Sequence, residues 1–176
     1  MWSRTLVSLG FSVLLLAGCG SGANPEPAAT QSSAPPAELT AADGRDYAAC
    51  ADGNCEVLLG GPAEIGLNGI AGLHKLLVKA VDGEGIHFET QGDGTSSGSL
   101  SLNCISQFYE NGGGSSCSTG EQSAPQPVDG VIAMQVAGLR EGTAVLRIVS
   151  GEPGPPPASL VPRIPTFEVP RPPFGG

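Results

Sequence analysis

Basic residues are scarce. Lysine and arginine number 8 against 17 aspartates and glutamates, a formal net charge of −9. A nucleic-acid binder needs a cationic surface to neutralise phosphates, so that class is excluded. Broad electrostatic adhesion to anionic lipid is disfavoured for the same reason. Aromatics are only 5% of the chain, so a core must rely on aliphatic side chains. No segment carries a long stripe of apolar residues at helical spacing, which argues against a helical bundle. Histidines number 2, His74 and His87, and stand apart. The cysteines lack the paired C-x2-C knuckles of zinc ribbons, so no metal or cofactor is expected.

What is present is uneven. Glycine (27) and proline (16) approach the share at which low complexity begins. Prolines gather near the start (Pro25, Pro27, Pro35, Pro36) and between Pro153 and Pro173; only Pro62, Pro125 and Pro127 fall between residues 46 and 150. The distribution predicts a compact middle, 46–150, between two extended arms. Residues 19–45 are rich in Ala, Ser, Gly, Pro and Thr and read as a flexible tether with a reach of roughly 28 Å. Residues 151–176 read as a polyproline-type tail. Within it Val161-Pro162-Arg163-Ile164-Pro165-Thr166-Phe167 is echoed by Val169-Pro170-Arg171-Pro172-Pro173-Phe174. Arg163, Phe167, Arg171 and Phe174 are its candidate partner-binding residues, since an extended P-x-x-P segment docks on aromatic grooves at low entropic cost; the plainer reading is a spacer.

One hydrophobic run stands out. It extends from Thr5 to Gly18, follows Arg4, and ends in Leu16-Ala17-Gly18-Cys19. At about 14 residues it is shorter than the roughly 20 needed to span a bilayer. A charged start, a short apolar stretch and small residues before a cut site are signal-peptide grammar. The tetrad resembles the lipobox of bacterial lipoproteins. That resemblance implies a signal peptide over 1–18, a diacylglycerol on the Cys19 thiol, and an extracytoplasmic protein held on the membrane, since two or three acyl chains anchor durably.

With Cys19 assigned to lipid, four cysteines remain: Cys50, Cys55, Cys104 and Cys117. An even number in an oxidising compartment predicts two disulfides. Three pairings exist; the favoured one is Cys50–Cys55 with Cys104–Cys117, each closing a turn-rich segment. The second ring encloses Asn111-Gly112-Gly113-Gly114-Ser115-Ser116, a stretch that would otherwise be very mobile.

The middle alternates apolar and polar residues at a period of two. Cys55, Val57 and Leu59 share a face, as do Leu76, Val78 and Ala80; Ile86 and Phe88; Leu100, Leu102 and Cys104; Ile132, Met134 and Val136; and Ala144, Leu146 and Ile148. Asp82-Gly83 and Glu141-Gly142 supply turns. The pattern predicts an all-β domain of six or seven strands, a small antiparallel sandwich or open barrel with two disulfides, flanked by disordered arms. The segment Cys50-Ala51-Asp52-Gly53-Asn54-Cys55-Glu56-Val57, together with Val145-Leu146-Arg147-Ile148-Val149, resembles small secreted actinobacterial domains that open on a C-x-D/N-G-x-C-E-V element. The resemblance spans roughly 46–150 and carries no activity.

Chemistry-bearing patterns are thin. Gly94-Thr95-Ser96-Ser97-Gly98 spells G-x-S-x-G but lacks the strand-to-helix setting of a nucleophile elbow. Asp52, Asn54 and Glu56 alternate oxygens like the start of a calcium loop but lack its glycine and distal glutamate. Asp82, Glu84 and Glu89 read as surface carboxylates around one hairpin. His87 reads as solvated and His74 as a strand-end residue. The expectation is a non-enzymatic, membrane-anchored binding or scaffold module. The alternatives are a small envelope hydrolase, for which no nucleophile–base pair stands out, and a ligand-binding lipoprotein.

Overall fold

The computed structural model describes residues 38–161 and is an all-β sandwich. A single 3-10 turn, Tyr47–Asp52, precedes nine strands: β1 Cys55–Leu59, β2 Ala63–Ile70, β3 Leu73–Val81, β4 Gly85–Gly92, β5 Thr95–Ser101, β6 Cys104–Tyr109, β7 Gly112–Cys117, β8 Val131–Arg140 and β9 Thr143–Ser150. One sheet has the order β1-β9-β8-β6-β7 and the other β2-β3-β4-β5, with antiparallel pairing throughout. The chain enters the first sheet at β1, runs the whole second sheet as a meander, and returns at β6.

Alternation explains the core. Val57 and Leu59, Ile132, Met134 and Val136, and Ala144, Leu146 and Ile148 face Ile65, Leu67, Leu76, Val78, Ile86, Phe88 and Leu100 across the sandwich. Removing these aliphatic faces from water is the main favourable term in folding. Phe108 packs edge-on against Phe88, with ring centroids 6.1 Å apart. The far face of the first sheet is covered too. Val131, Ala133, Gln135 and Val145 are buried there, and the Gln135 amide donates to the Gln122 carbonyl at 2.9 Å, so the segment between β7 and β8 lies over β8. That cover explains why β8 reads as a continuous buried run rather than an alternating one.

Two expectations are corrected. Among the described residues the strand count is nine, not six or seven. The alternation Leu100, Leu102, Cys104 is not one strand: the chain turns at Leu102-Asn103 and crosses from one sheet to the other, leaving Leu102 40% exposed. The stretch Asn111–Ser116 enclosed by the second disulfide is largely β7, paired residue for residue with β6. Glycine and serine carry no periodic signal, so pairing partners decide their conformation. The structure also engages residues assigned to the tether. Asp43 N–H donates to the Glu56 carbonyl at 3.0 Å and Leu58 N–H to the Gly44 carbonyl at 2.6 Å, which covers the open edge of β1.

Both disulfides of the favoured pairing are present, Cys50–Cys55 and Cys104–Cys117, with Cα separations of 4.9 and 4.1 Å. The second joins directly opposed residues of β6 and β7.

Candidate functional site

Among the described residues the sandwich is closed along one flank and open along the other. The β1 edge is covered by residues 43–44, and the 3-10 turn packs on β2. Among the described residues the edges β5 and β7 have no such cover. Every residue of β7 is exposed, and so is every residue of β5 except Leu100. Neither strand carries a charge, a proline or a register shift, the devices by which edges are usually protected.

At one end of this flank three turns converge: β2–β3 at Ala71-Gly72, β4–β5 at Asp93-Gly94, and β6–β7 at Glu110-Asn111. They enclose a cleft of about 470 Å³. Its floor holds Leu73, Phe108 and the buried Thr90, whose hydroxyl bonds the Ser96 hydroxyl at 2.9 Å. Its rim holds Asp93, Tyr109, Glu110 and Asn111. The rim is shaped by glycine. The Asp93 carboxylate lies over Gly72, where a Cβ would stand 2.9 Å from Oδ2, and the Tyr109 ring lies over Gly112, where a Cβ would stand 2.5 Å from the ring. Gly72 (φ 75°) and Asn111 (φ 64°) take the left-handed backbone that these tight turns require. Among the described residues the carboxylates of Asp93 and Glu110 have no ion-pair partner, and no lysine, arginine or histidine lines the cleft.

The motifs singled out in the sequence do not converge on one site. Ser96 does enter the cleft, but its hydroxyl meets Thr90 rather than a base. The calcium-like triad disperses. Asp52 Oδ1 accepts from Asn54 N–H at 2.9 Å, Asn54 Oδ1 accepts from Ser150 N–H at 3.2 Å, and Glu56 pairs with Arg147 at 2.6 Å. Arg147 also donates to Gln135 Oε1 at 3.2 Å, so Glu56 belongs to a polar chain on the far face of the first sheet. His74 is exposed beside Gly69, and His87 pairs with Asp82 at 2.7 Å. Glu89 meets Lys79 at 3.3 Å. Among the described residues no group of three metal-ligating side chains is close enough to hold an ion, and no helix is long and apolar enough to cross a membrane. The signal-peptide residues 1–18, Cys19, and the tail residues Arg163, Phe167, Arg171 and Phe174 lie outside the described residues.

Asp82 caps the β3–β4 turn. Its carboxylate accepts from the N–H groups of Glu84 (2.8 Å) and Gly85 (3.2 Å) and meets the His87 ring. The Glu84 N–H, then the His87 contact, hold its pKa below the ordinary 3.8. A folded-state pKa below the unfolded one stabilises the fold above the unfolded value, and that contribution disappears as pH falls through the folded one. Asp82→Asn is therefore expected to flatten the acid limb of the stability profile below about pH 4, measured by urea melts at successive pH values. An unchanged acid limb would count against this account of the turn.

Sequence reasoning did not find Asp93, Tyr109, Glu110 and Asn111. The available signal was topological: in an up-and-down path alternate turns fall at the same end. It needed the correct strand count. No family model matches this chain, and neither a curated protein nor a solved structure matches it.

Proposed function

We propose that this chain is a lipid-anchored binding module of the cell envelope, whose β-sandwich presents the cleft between β2–β3, β4–β5 and β6–β7 to a ligand. The observation that carries the reading is the cleft itself: a concave site of small-molecule size with an apolar floor and rim carboxylates that have no ion-pair partner among the described residues. Two disulfides suit an oxidising compartment, in keeping with export through the lipobox-like tetrad ending at Cys19. The acylated Cys19 ties the module to the membrane, and the repeated Arg and Phe residues after 161 offer a second contact for an envelope partner.

Two measurements test this. Metabolic labelling with an alkyne fatty acid is expected to tag the full chain and not Cys19→Ala; equal labelling of both rejects the anchor. Crosslinking in intact cells is run with the full chain and with a form ending at Val161. Stopping at Ser150 would cut into the fold, because Gly130 N–H donates to the Glu152 carbonyl at 2.9 Å and Gly151 N–H to the Val128 carbonyl at 3.2 Å. A partner kept by the shorter form and lost when the cleft is altered assigns binding to the sandwich. A partner lost with the tail assigns it to 162–176.

A further inference from the structure

We propose that the cleft recognises an organic cation, a guanidinium or ammonium group on an apolar stem. The proposal rests on the binding-module reading and adds the chemistry of the ligand. Asp93 reaches the cleft from the β4–β5 turn and Glu110 from the β6–β7 turn, so the two carboxylates belong to different sheets and stand on separate banks. Neither is ion-paired to a described side chain. Lys75 and Lys79 are held by Glu64 and Glu89.

Both carboxylates line the cleft, so a cation held in it is attracted by both. Phe108 and Tyr109 also line the cleft, and aromatic rings attract positive charge at their faces. The cation's stem lies against Leu73 and Phe108. An anion is repelled by the two carboxylates, and a neutral polyol, though it can donate hydrogen bonds to them, gains no charge attraction. The net charge of −9 raises the local concentration of cations around the whole domain. The carboxylates are exposed, so the attraction weakens with added salt.

The cation has two sources, a free amine or a basic side chain of a peptide, and the experiment separates them. Amide resonances of the full-length chain, held in a non-ionic detergent, are followed while agmatine, acetylated and amidated glycyl-arginyl-glycine, its citrulline counterpart and maltotriose are added in turn. Agmatine and the arginine peptide are expected to shift residues 93–96 and 109–113. The citrulline peptide, the same shape without the charge, is expected to bind at least about tenfold more weakly. Asp93→Asn and Glu110→Gln are each expected to weaken agmatine binding roughly three- to fivefold, the scale of an exposed charge pair, with unchanged melting temperature.

An arginine peptide that binds more tightly than agmatine and also shifts 97–101 along the β5 edge makes a peptide the source. Equal affinity without those shifts makes it a free amine. Equal binding of the citrulline and arginine peptides, agmatine shifts outside the cleft, or no shifts at millimolar agmatine overturns the proposal. Maltotriose shifting 93–96 and 109–113 while agmatine does not also overturns the cation, but leaves the cleft as the binding site. Loss of the binding-module reading is seen separately, as a partner captured equally by the full chain and by variants with an altered cleft.

Discussion

Exchanging Gly92 for alanine is expected to remove about 3 kcal/mol of stability and to spoil the cleft with it. Gly92 ends β4 opposite Leu73 of β3. An added methyl there would sit on the Gly72 carbonyl oxygen and 2.9 Å from the Leu73 Cα. These are backbone atoms, so no rotamer change relieves the clash; the two strand ends must part. The parting would break the bond from Asp93 N–H to the Gly72 carbonyl, now 2.9 Å, which sets the position of the Asp93 carboxylate on the rim. A domain of this size has a total stability of roughly 5–15 kcal/mol, so the loss is a large fraction and lowers the melting temperature by roughly 10 °C. Gly94 is the control. It lies two residues on, its added Cβ meets nothing within 4 Å, and Gly94→Ala is expected to change stability by less than about 0.5 kcal/mol. Parallel thermal melts decide the matter: if both variants melt with the parent, the close approach at Gly92 is not what holds this corner.

That contrast also shows what a sequence can disclose. In β1, β3, β4 and β9 the alternation was legible because one face is buried and the other meets water or polar partners. The same logic gave the hairpin at Asp82-Gly83, whose side chain organises its own turn. The disulfides were legible because each joins cysteines close in sequence, and the second pair are cross-strand neighbours. The strands β5 and β7 were not, because Thr95-Ser96-Ser97-Gly98-Ser99 and Gly112-Gly113-Gly114-Ser115-Ser116 have no apolar face to count. The cleft was hidden for a related reason. It is assembled from three turns separated by whole strands, and turn residues obey local backbone geometry rather than a period. Asp52, Asn54 and Glu56 show the converse error that spacing invites: alternate oxygens looked like a ligand set, yet each one serves a turn or a neighbouring strand.

Removing the Cys104–Cys117 bridge is expected to act locally before it acts globally. For a sequence separation of 13 the chain-entropy model assigns a bridge about 3 kcal/mol, against about 2 kcal/mol for the separation of 5 between Cys50 and Cys55. The two bonds differ more in their surroundings. Cys50 is fully buried in the core cluster, so its loss is felt throughout the sandwich. In β7 no residue is buried, three are glycine, and one long side is an edge that no described residue covers. Besides its backbone pairing with β6, β7 is held by the bridge and by one hydroxyl contact, Ser106 to Ser115 at 2.7 Å. Backbone hydrogen bonds open to water open easily when little apolar surface is lost with them. In Cys104→Ala/Cys117→Ala the amides of 112–117 are therefore expected to exchange hydrogen at rates near those of an unfolded chain, while Ile132, Met134 and Leu146 stay protected. Because the same hairpin carries Tyr109, Glu110 and Asn111, this variant is also expected to lose the cleft rim, coupling the oxidation state of one bond to binding at its far turn. Exchange that rises uniformly across all nine strands would mean instead that β7 unfolds only with the whole domain, and that the bridge stabilises the sandwich rather than its open flank.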